Sequence, residues 1–372
     1  MGKRKRKFGD RADGRKLRSL NPITTVGAYI MVDRNDACNL FEDRFDVDVA
    51  SEYIKEKRKS GLKKFGYMHL ILAGYVRTVS QRPGINRFIS GQKIYARDNI
   101  VVNMAVKKEL TLNAEETMIK IVFEPTDGVT EVYNKCNAAI DSAFGDTESD
   151  FDGTAKIISF IPGLIKKFAV WLLKTIDYFG LLPKSLLNVS PFHGSMVITS
   201  MASLGIPPIY HHLYNFGNVP VFIAFGTKET ENILNKKGEV ETHTYLPYKV
   251  TCDERICDGQ YYSSAFKYMR RHLKNPYLLD EPIESVVEDI DYNTYIFASR
   301  NFHPCKSQFA GVFFILHQSS KKHKQTVSSF IFYFLFFIFY HPFSVQTEKG
   351  YKRTVENPSD GFSNFPQRPK GK

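Results

Sequence analysis

An alternating apolar segment that runs into an Asp-Gly turn and then a helix constrains this 372-residue chain more than any other feature. Val250-Thr251-Cys252-Asp253-Glu254-Arg255-Ile256-Cys257-Asp258-Gly259 carries the strand and the turn. Gln260 to Asn275 then places Tyr262, Phe266, Met269 and Leu273 at one-face helical spacing, and Pro276 follows.

The rest of the pattern mixes strands and helices without a strict βαβα alternation. Strands are expected at Thr24 to Val32, Ile100 to Val106, Thr117 to Phe123, Met196 to Ser200, Val221 to Phe225 and Tyr248 to Cys252. Helices are expected at Val49 to Lys59, with Asp48 as N-cap, at Tyr67 to Ser80 and at Val129 to Phe144. Leu164 to Phe179, bracketed by Pro162-Gly163 and Gly180 to Pro183, reads as a further helix that is apolar yet carries Lys166, Lys167 and Lys174. Such a helix covers one end of a domain, lines a channel or lies on a membrane surface. No internal repeat, Gly-rich phosphate loop or dinucleotide fingerprint is present.

Net charge points away from a nucleic-acid partner despite its value of +12. Residues 1–20 hold nine Lys/Arg against two Asp/Glu, and residues 301–372 hold ten against three, so the middle of the chain is close to neutral. The basic ends therefore say little about the domain's partner, and no specific nucleic-acid contact is expected. Residues 1–20 read as a basic flexible arm, residues 21–300 as the folded domain and residues 301–372 as an atypical tail. Five scattered cysteines without a Cys-x-x-Cys pair fit free thiols in a reducing cytoplasm and supply no zinc spacing. No secretory signal opens the chain.

Four segments in the right order resemble the chloramphenicol acetyltransferase-like superfamily, which includes the catalytic domains of 2-oxoacid dehydrogenase acyltransferases. Glu254-Arg255-Ile256-Cys257-Asp258-Gly259 is similar to the family's His-x-x-x-Asp-Gly signature, with Glu254 at the position of the catalytic base. Thr199-Ser200-Met201-Ala202-Ser203-Leu204-Gly205 resembles the strand and turn whose first hydroxyl binds the oxyanion, and Thr199 falls there. Ser200 and Ala202 depart from the family's Asn and Gly. Asp33-Arg34-Asn35-Asp36 is similar to the segment whose Arg pairs with the Asp of the signature, so the resemblance implies an Arg34–Asp258 pair. Arg82-Pro83-Gly84-Ile85-Asn86 resembles the turn near the family's coenzyme A channel. The implied fold is a two-layer α/β sandwich, a mixed β-sheet with helices on one face. The implied assembly is a homotrimer with active sites between subunits.

The resemblance implies transfer of an acyl group from a coenzyme A thioester to an unknown acceptor, with no metal and no lipoyl-bearing domain. Acyl transfer needs a base for the incoming nucleophile and a donor for the oxyanion. A Glu in water, pKa about 4.3, is a weaker base than a His at about 6.5, although burial raises a carboxyl into the useful range. Arg255, next in sequence, is a candidate partner that would hold Glu254 down. The alternative is a non-catalytic relative, a binding or scaffold trimer that kept the fold without the His. His193 and the His211-His212 pair are further histidines near the Thr199 strand; adjacent residues point apart, which speaks against a metal pair. Cys257 suits apolar packing better than nucleophilic attack.

Thr326 to Thr347 contains no Asp, Glu, Lys or Arg and is densely aromatic. Its length reaches that of a membrane span, about 20 residues, but its strongly apolar middle is short. Two readings stand beside each other: membrane association through 326–347, or a tail foreign to the domain.

Overall fold

The computed structural model describes residues 6–107, 116–144 and 162–291. In chain order its strands are β1 (Gly14–Lys16), β2 (Cys38–Asp46), β3 (Arg87–Ser90), β4 (Lys93–Arg97), β5 (Ile100–Lys107), β6 (Glu116–Phe123), β7 (Met196–Ser200), β8 (Val221–Phe225), β9 (Glu229–Leu234) and β10 (Val240–Asp253). Its helices are α1 (Pro22–Ile30), α2 (Asp48–Lys59), α3 (Tyr67–Gln81), α4 (Val129–Phe144), α5 (Gly163–Tyr178), α6 (Lys184–Val189) and α7 (Gly259–Lys274).

A mixed sheet runs in the order β2-β10-β8-β7-β5-β6, with β9 paired to the first half of β10. The contacts of β7 with β8 and β5 are parallel, and the other pairings are antiparallel. A second, three-stranded sheet has the order β1-β4-β3. Strand β8 shows why the centre holds. All five of its residues are buried, and the period of two sends Ile223 to the main core and Phe222 to a smaller cluster with Val197, Leu213 and Val219 on the opposite face. Helices α2, α3, α4 and α7 pack their apolar residues into the main core, on one face of the sheet. The α/β sandwich expected from the sequence is the fold observed.

Helix α3 is buried all round rather than on one stripe: every residue from His69 to Ser80 is buried. Several of its polar groups find main-chain carbonyl acceptors, as such burial demands. Thr78 Oγ1 donates to Gly74 O at 2.6 Å, Ser80 Oγ to Arg77 O at 2.8 Å, and Arg77 Nη2 to Leu279 O at 3.1 Å. At Gly74 a Cβ would lie 3.1 Å from Leu273 Cδ2, so the missing side chain is what lets α7 approach.

Several expectations need correction. Thr24 to Val32 is not a strand. Pro22 occupies the first turn of α1, and the Asn21 side chain accepts from Ile23 N, so local capping overrides the β-branched run. Asp48 lies in the first turn of α2, whose N-cap is Val47. Strand β10 is far longer than Tyr248 to Cys252. Its first half forms a hairpin with β9 whose side chains are mostly exposed, so no apolar alternation marks it. The stretch expected as a flexible arm enters the fold, because β1 pairs with β4 and Arg11 and Arg15 are buried. The expected boundary near Arg300 and the apolar segment 326–347 lie outside the described residues. Among the described residues no helix is long and apolar enough to cross a membrane.

His69 carries a measurable consequence of α3's burial. Its ring stacks on Phe65, centroids 5.5 Å apart, and its Nδ1 accepts from Gly66 N at 3.2 Å. Burial pushes its pKa down to about 4 from an ordinary 6.5. The folded state therefore holds a neutral imidazole while the unfolded chain takes up a proton below pH 6.5. Stability from this group is complete above pH 6.5 and is lost as pH falls toward 4, by roughly 3 kcal/mol in all. In urea titrations across that window, His69→Gln should show a shallower loss of stability than the parent; an unchanged slope would contradict the assignment.

Candidate functional site

The end of β10 meets two loops through a single carboxylate. Asp253 is fully buried. It accepts from Arg255 Nε at 2.8 Å and Nη2 at 2.7 Å, and from the Arg255 backbone N–H at 3.1 Å. Arg34 Nε lies 3.4 Å from the second carboxylate oxygen. Each guanidinium also donates to main-chain carbonyls. Arg255 Nη1 reaches Met31 O and Val32 O, both at 2.9 Å, while Arg34 Nη1 and Nη2 reach Tyr214 O at 2.6 Å and Gly217 O at 2.9 Å. Burial pulls the Arg34 pKa below its ordinary value, and the Asp253 charge opposes that shift. On the α7 side, the buried Tyr262 hydroxyl donates to Asp253 O at 2.9 Å.

This geometry redistributes the roles expected of the signature. Arg34 faces Asp253 and not Asp258. Asp258 is exposed and caps α7, accepting from Tyr261 N at 2.7 Å. An Asp one residue before a helix finds that unpaired backbone N–H locally, whereas Asp253, sealed at the strand end, has only the arginines. Arg255 likewise serves Asp253 and not Glu254. The Glu254 backbone N–H donates to Ala37 O at 2.8 Å, and its side chain is exposed. Cys257 is buried, and burial pushes its thiol up to about 12, in keeping with a packing role. Near the coenzyme A-channel resemblance, Gly84 N donates to Tyr261 Oη at 2.8 Å.

Thr199, half-buried on β7, lies elsewhere. It stands opposite Ala224, which pairs with Lys249 of β10. Glu254 is five residues beyond Lys249, so the two positions are separated by about 17 Å along the strands and about 10 Å across them. One chain does not bring Glu254 and Thr199 to a common reacting atom.

A cleft of about 250 Å³ opens beside the Asp253 cluster, with Arg34, Arg255, Asp33, Gln92, Lys174 and Asp177 on its walls. Asp177, from the last turn of α5, is held by Arg11 Nη2 at 2.7 Å, and His193 Nε2 lies 3.5 Å from its other oxygen. Burial alone would raise the Asp177 carboxyl, but His193 and Arg11 hold it below its ordinary value. Burial lowers the His193 pKa against the opposing pull of Asp177, and Nδ1 sits 2.7 Å from Ser190 Oγ. Ser190, His193 and Asp177 thus form a hydroxyl–imidazole–carboxylate series, but of the three only Asp177 lines the cleft. Behind them Arg11 Nε meets Asp13 at 3.0 Å, and Arg97 Nη2 donates to Asn218 Oδ1 at 2.7 Å. His211 stacks on Phe222, centroids 4.0 Å apart, which makes it a packing residue.

Sequence reasoning gave no role to Asp253 or Asp177. Asp177 had a visible signal, as the lone acid in an otherwise apolar and basic helix. Asp253 had a weaker one, an Asp-x-Arg spacing at a strand end. Among the described residues Asp46, Asp48 and His243 bring three potential ligand atoms within 4.8 Å of one another. The bond from His243 to Asp46 raises the imidazole pKa, which favours the protonated ring that cannot ligate a metal.

The two aspartates of the signature should separate in stability measurements. Asp253→Asn leaves two buried guanidinium groups without a counter-charge and should cost about 3–5 kcal/mol in urea unfolding. Asp258→Ala removes one exposed cap and should cost about 1 kcal/mol. The reverse order would mean that Arg34 pairs with Asp258 after all.

No family model matches this sequence, and no curated protein matches it. Solved structures do. The chain is similar to the dihydrolipoamide acetyltransferase of Azotobacter vinelandii, 11% identical, covering 72% of this chain and 95% of that one, TM-score 0.43. It is similar to chloramphenicol acetyltransferase, 12% identical, covering 70% of this chain and 100% of that one, TM-score 0.43. A truncated catalytic core of the 2-oxoacid dehydrogenase multienzyme complex from Thermoplasma acidophilum is 10% identical, covering 70% of this chain and 99% of that one, TM-score 0.42.

Proposed function

We propose that this chain transfers an acyl group from a coenzyme A-type thioester to a hydroxyl, amine or thiol acceptor, at a site shared between two copies of the chain in a homotrimer. The observation that carries the reading is the presentation of Glu254. Its neighbours Asp253 and Arg255 are buried and locked, while its own side chain projects into solvent from the turn before α7. A carboxylate placed on a rigid turn, unclaimed by the adjacent arginine, is suited to take a proton from an acceptor.

The separation of Thr199 from Glu254 within one chain supports a shared site, since a base and an oxyanion donor must meet around one carbonyl. Glu254 of one copy deprotonates the acceptor as it attacks the thioester carbonyl. Thr199 of the next donates its hydroxyl hydrogen to the oxyanion. Collapse of the tetrahedral intermediate breaks the carbon–sulfur bond, and Glu254, now protonated, returns the proton to the departing thiolate. The Asp253 cluster holds the turn and touches no substrate.

With acetyl-CoA and a panel of acceptors, Glu254→Gln should lower turnover by about 10²–10⁴-fold and Thr199→Ala by about 10²–10³-fold. Co-expression of the two variants should restore activity at those interfaces that pair an intact Glu254 with an intact Thr199, roughly a quarter of sites on random mixing. Absence of turnover with every acceptor, together with absence of coenzyme A binding in calorimetry, would sink the proposal. A silent parent whose Glu254→His variant transfers acyl groups would identify a relative that kept its cleft and lost its base.

A further inference from the structure

Helix α5 turns its apolar side outward. Leu164 is 85% exposed, Phe168 59% and Trp171 58%, and Ile165 and Leu172 beside them are also open to solvent. With about 100° between successive residues, Leu164, Phe168 and Trp171 share one face, 120–180° from Asp177. Asp177 is the residue of this helix that is buried and ion-paired, so it fixes the inward side. Lys167 and Lys174 lie together at the edge of the apolar face, and both are exposed. Asp177 is the helix's one acid and does not reach the outer face.

A contiguous apolar surface of this kind on a folded domain marks something that covers it. The occupant is indicated by charge. An apolar face bearing Trp and Phe, bordered by lysines and free of exposed acids, matches an anionic lipid interface, where the ring and aliphatic groups enter the headgroup boundary and the ammonium groups stay among the phosphates. The helix has 16 residues, about 24 Å, which lets it lie in the interface without spanning the bilayer. We infer that α5 is a membrane-surface docking helix that seats the protein on anionic bilayers through Leu164, Phe168 and Trp171.

Trp171 is the chain's one tryptophan, so its fluorescence reports on this face alone. Full-length protein is titrated with vesicles of phosphatidylcholine mixed with phosphatidylserine. Trp171 emission should move to shorter wavelength, acyl-chain bromines should quench it, and added salt should weaken the effect. Lys167→Glu with Lys174→Glu should reduce vesicle affinity about tenfold or more. Leu164→Ser with Phe168→Ser should abolish binding through this face, with circular dichroism unchanged because both residues are exposed. Three results would each overturn the inference. One is emission that ignores vesicles. Another is sedimentation with vesicles without a Trp171 shift, which assigns binding to another segment such as 326–347. The last is a lipid-free shift that grows with protein concentration and mass, which places a second copy on the helix.

Discussion

A buried carboxylate facing two guanidinium groups is the constraint around which this end of the molecule is arranged. Asp253 alone would be prohibitively costly to bury, and so would Arg34 or Arg255. Together they carry one excess positive charge, which the carbonyls of Met31, Val32, Tyr214 and Gly217 help to solvate. Those carbonyls belong to two loops far apart in sequence. The charge cluster therefore fixes both of them against the end of β10, and with them the turn that presents Glu254 and begins α7.

A second cluster adjoins the first across the cleft. Arg11 and Arg97 share Asp13, and Arg11 also takes Asp177. Over both clusters Arg11, Arg34, Arg97 and Arg255 outnumber Asp13, Asp177 and Asp253 by one. This balance accords with the lowered His193 pKa at the boundary, where a further positive charge would be poorly tolerated. It also explains why the basic N-terminal segment belongs to the fold. Arg11 supplies the cation that allows Asp177, and hence the end of α5, to be buried.

The parts of the fold that were legible in the sequence are those whose side chains meet a core on a regular period. Strands β5 to β8 and helices α3, α4 and α7 were all read within a residue or two, because apolar positions recur at two or at 3.6 residues. The β9–β10 hairpin escaped because its faces are both wet, and α1 because a Pro and an Asn cap outweighed a β-branched run. The pairings around the signature were not legible. Arg34, Asp258 and Arg255 each find a partner other than the one expected. Sequence distance conceals which carboxylate is sealed from water, and burial decides which pairing is worth most. Asp258 has a helix N–H and solvent available, whereas Asp253 has neither.

Helix α5 shows the same logic from the outside. Its composition alone left open whether the apolar residues faced the core, a channel or a surface. A single acid settles the orientation, because turning Asp177 outward would leave the buried Arg11 without one of its counter-charges. Once Asp177 points inward, helical geometry leaves Leu164, Phe168 and Trp171 no inward option. The exposed apolar face is therefore a consequence of the ion pair rather than a failure of packing.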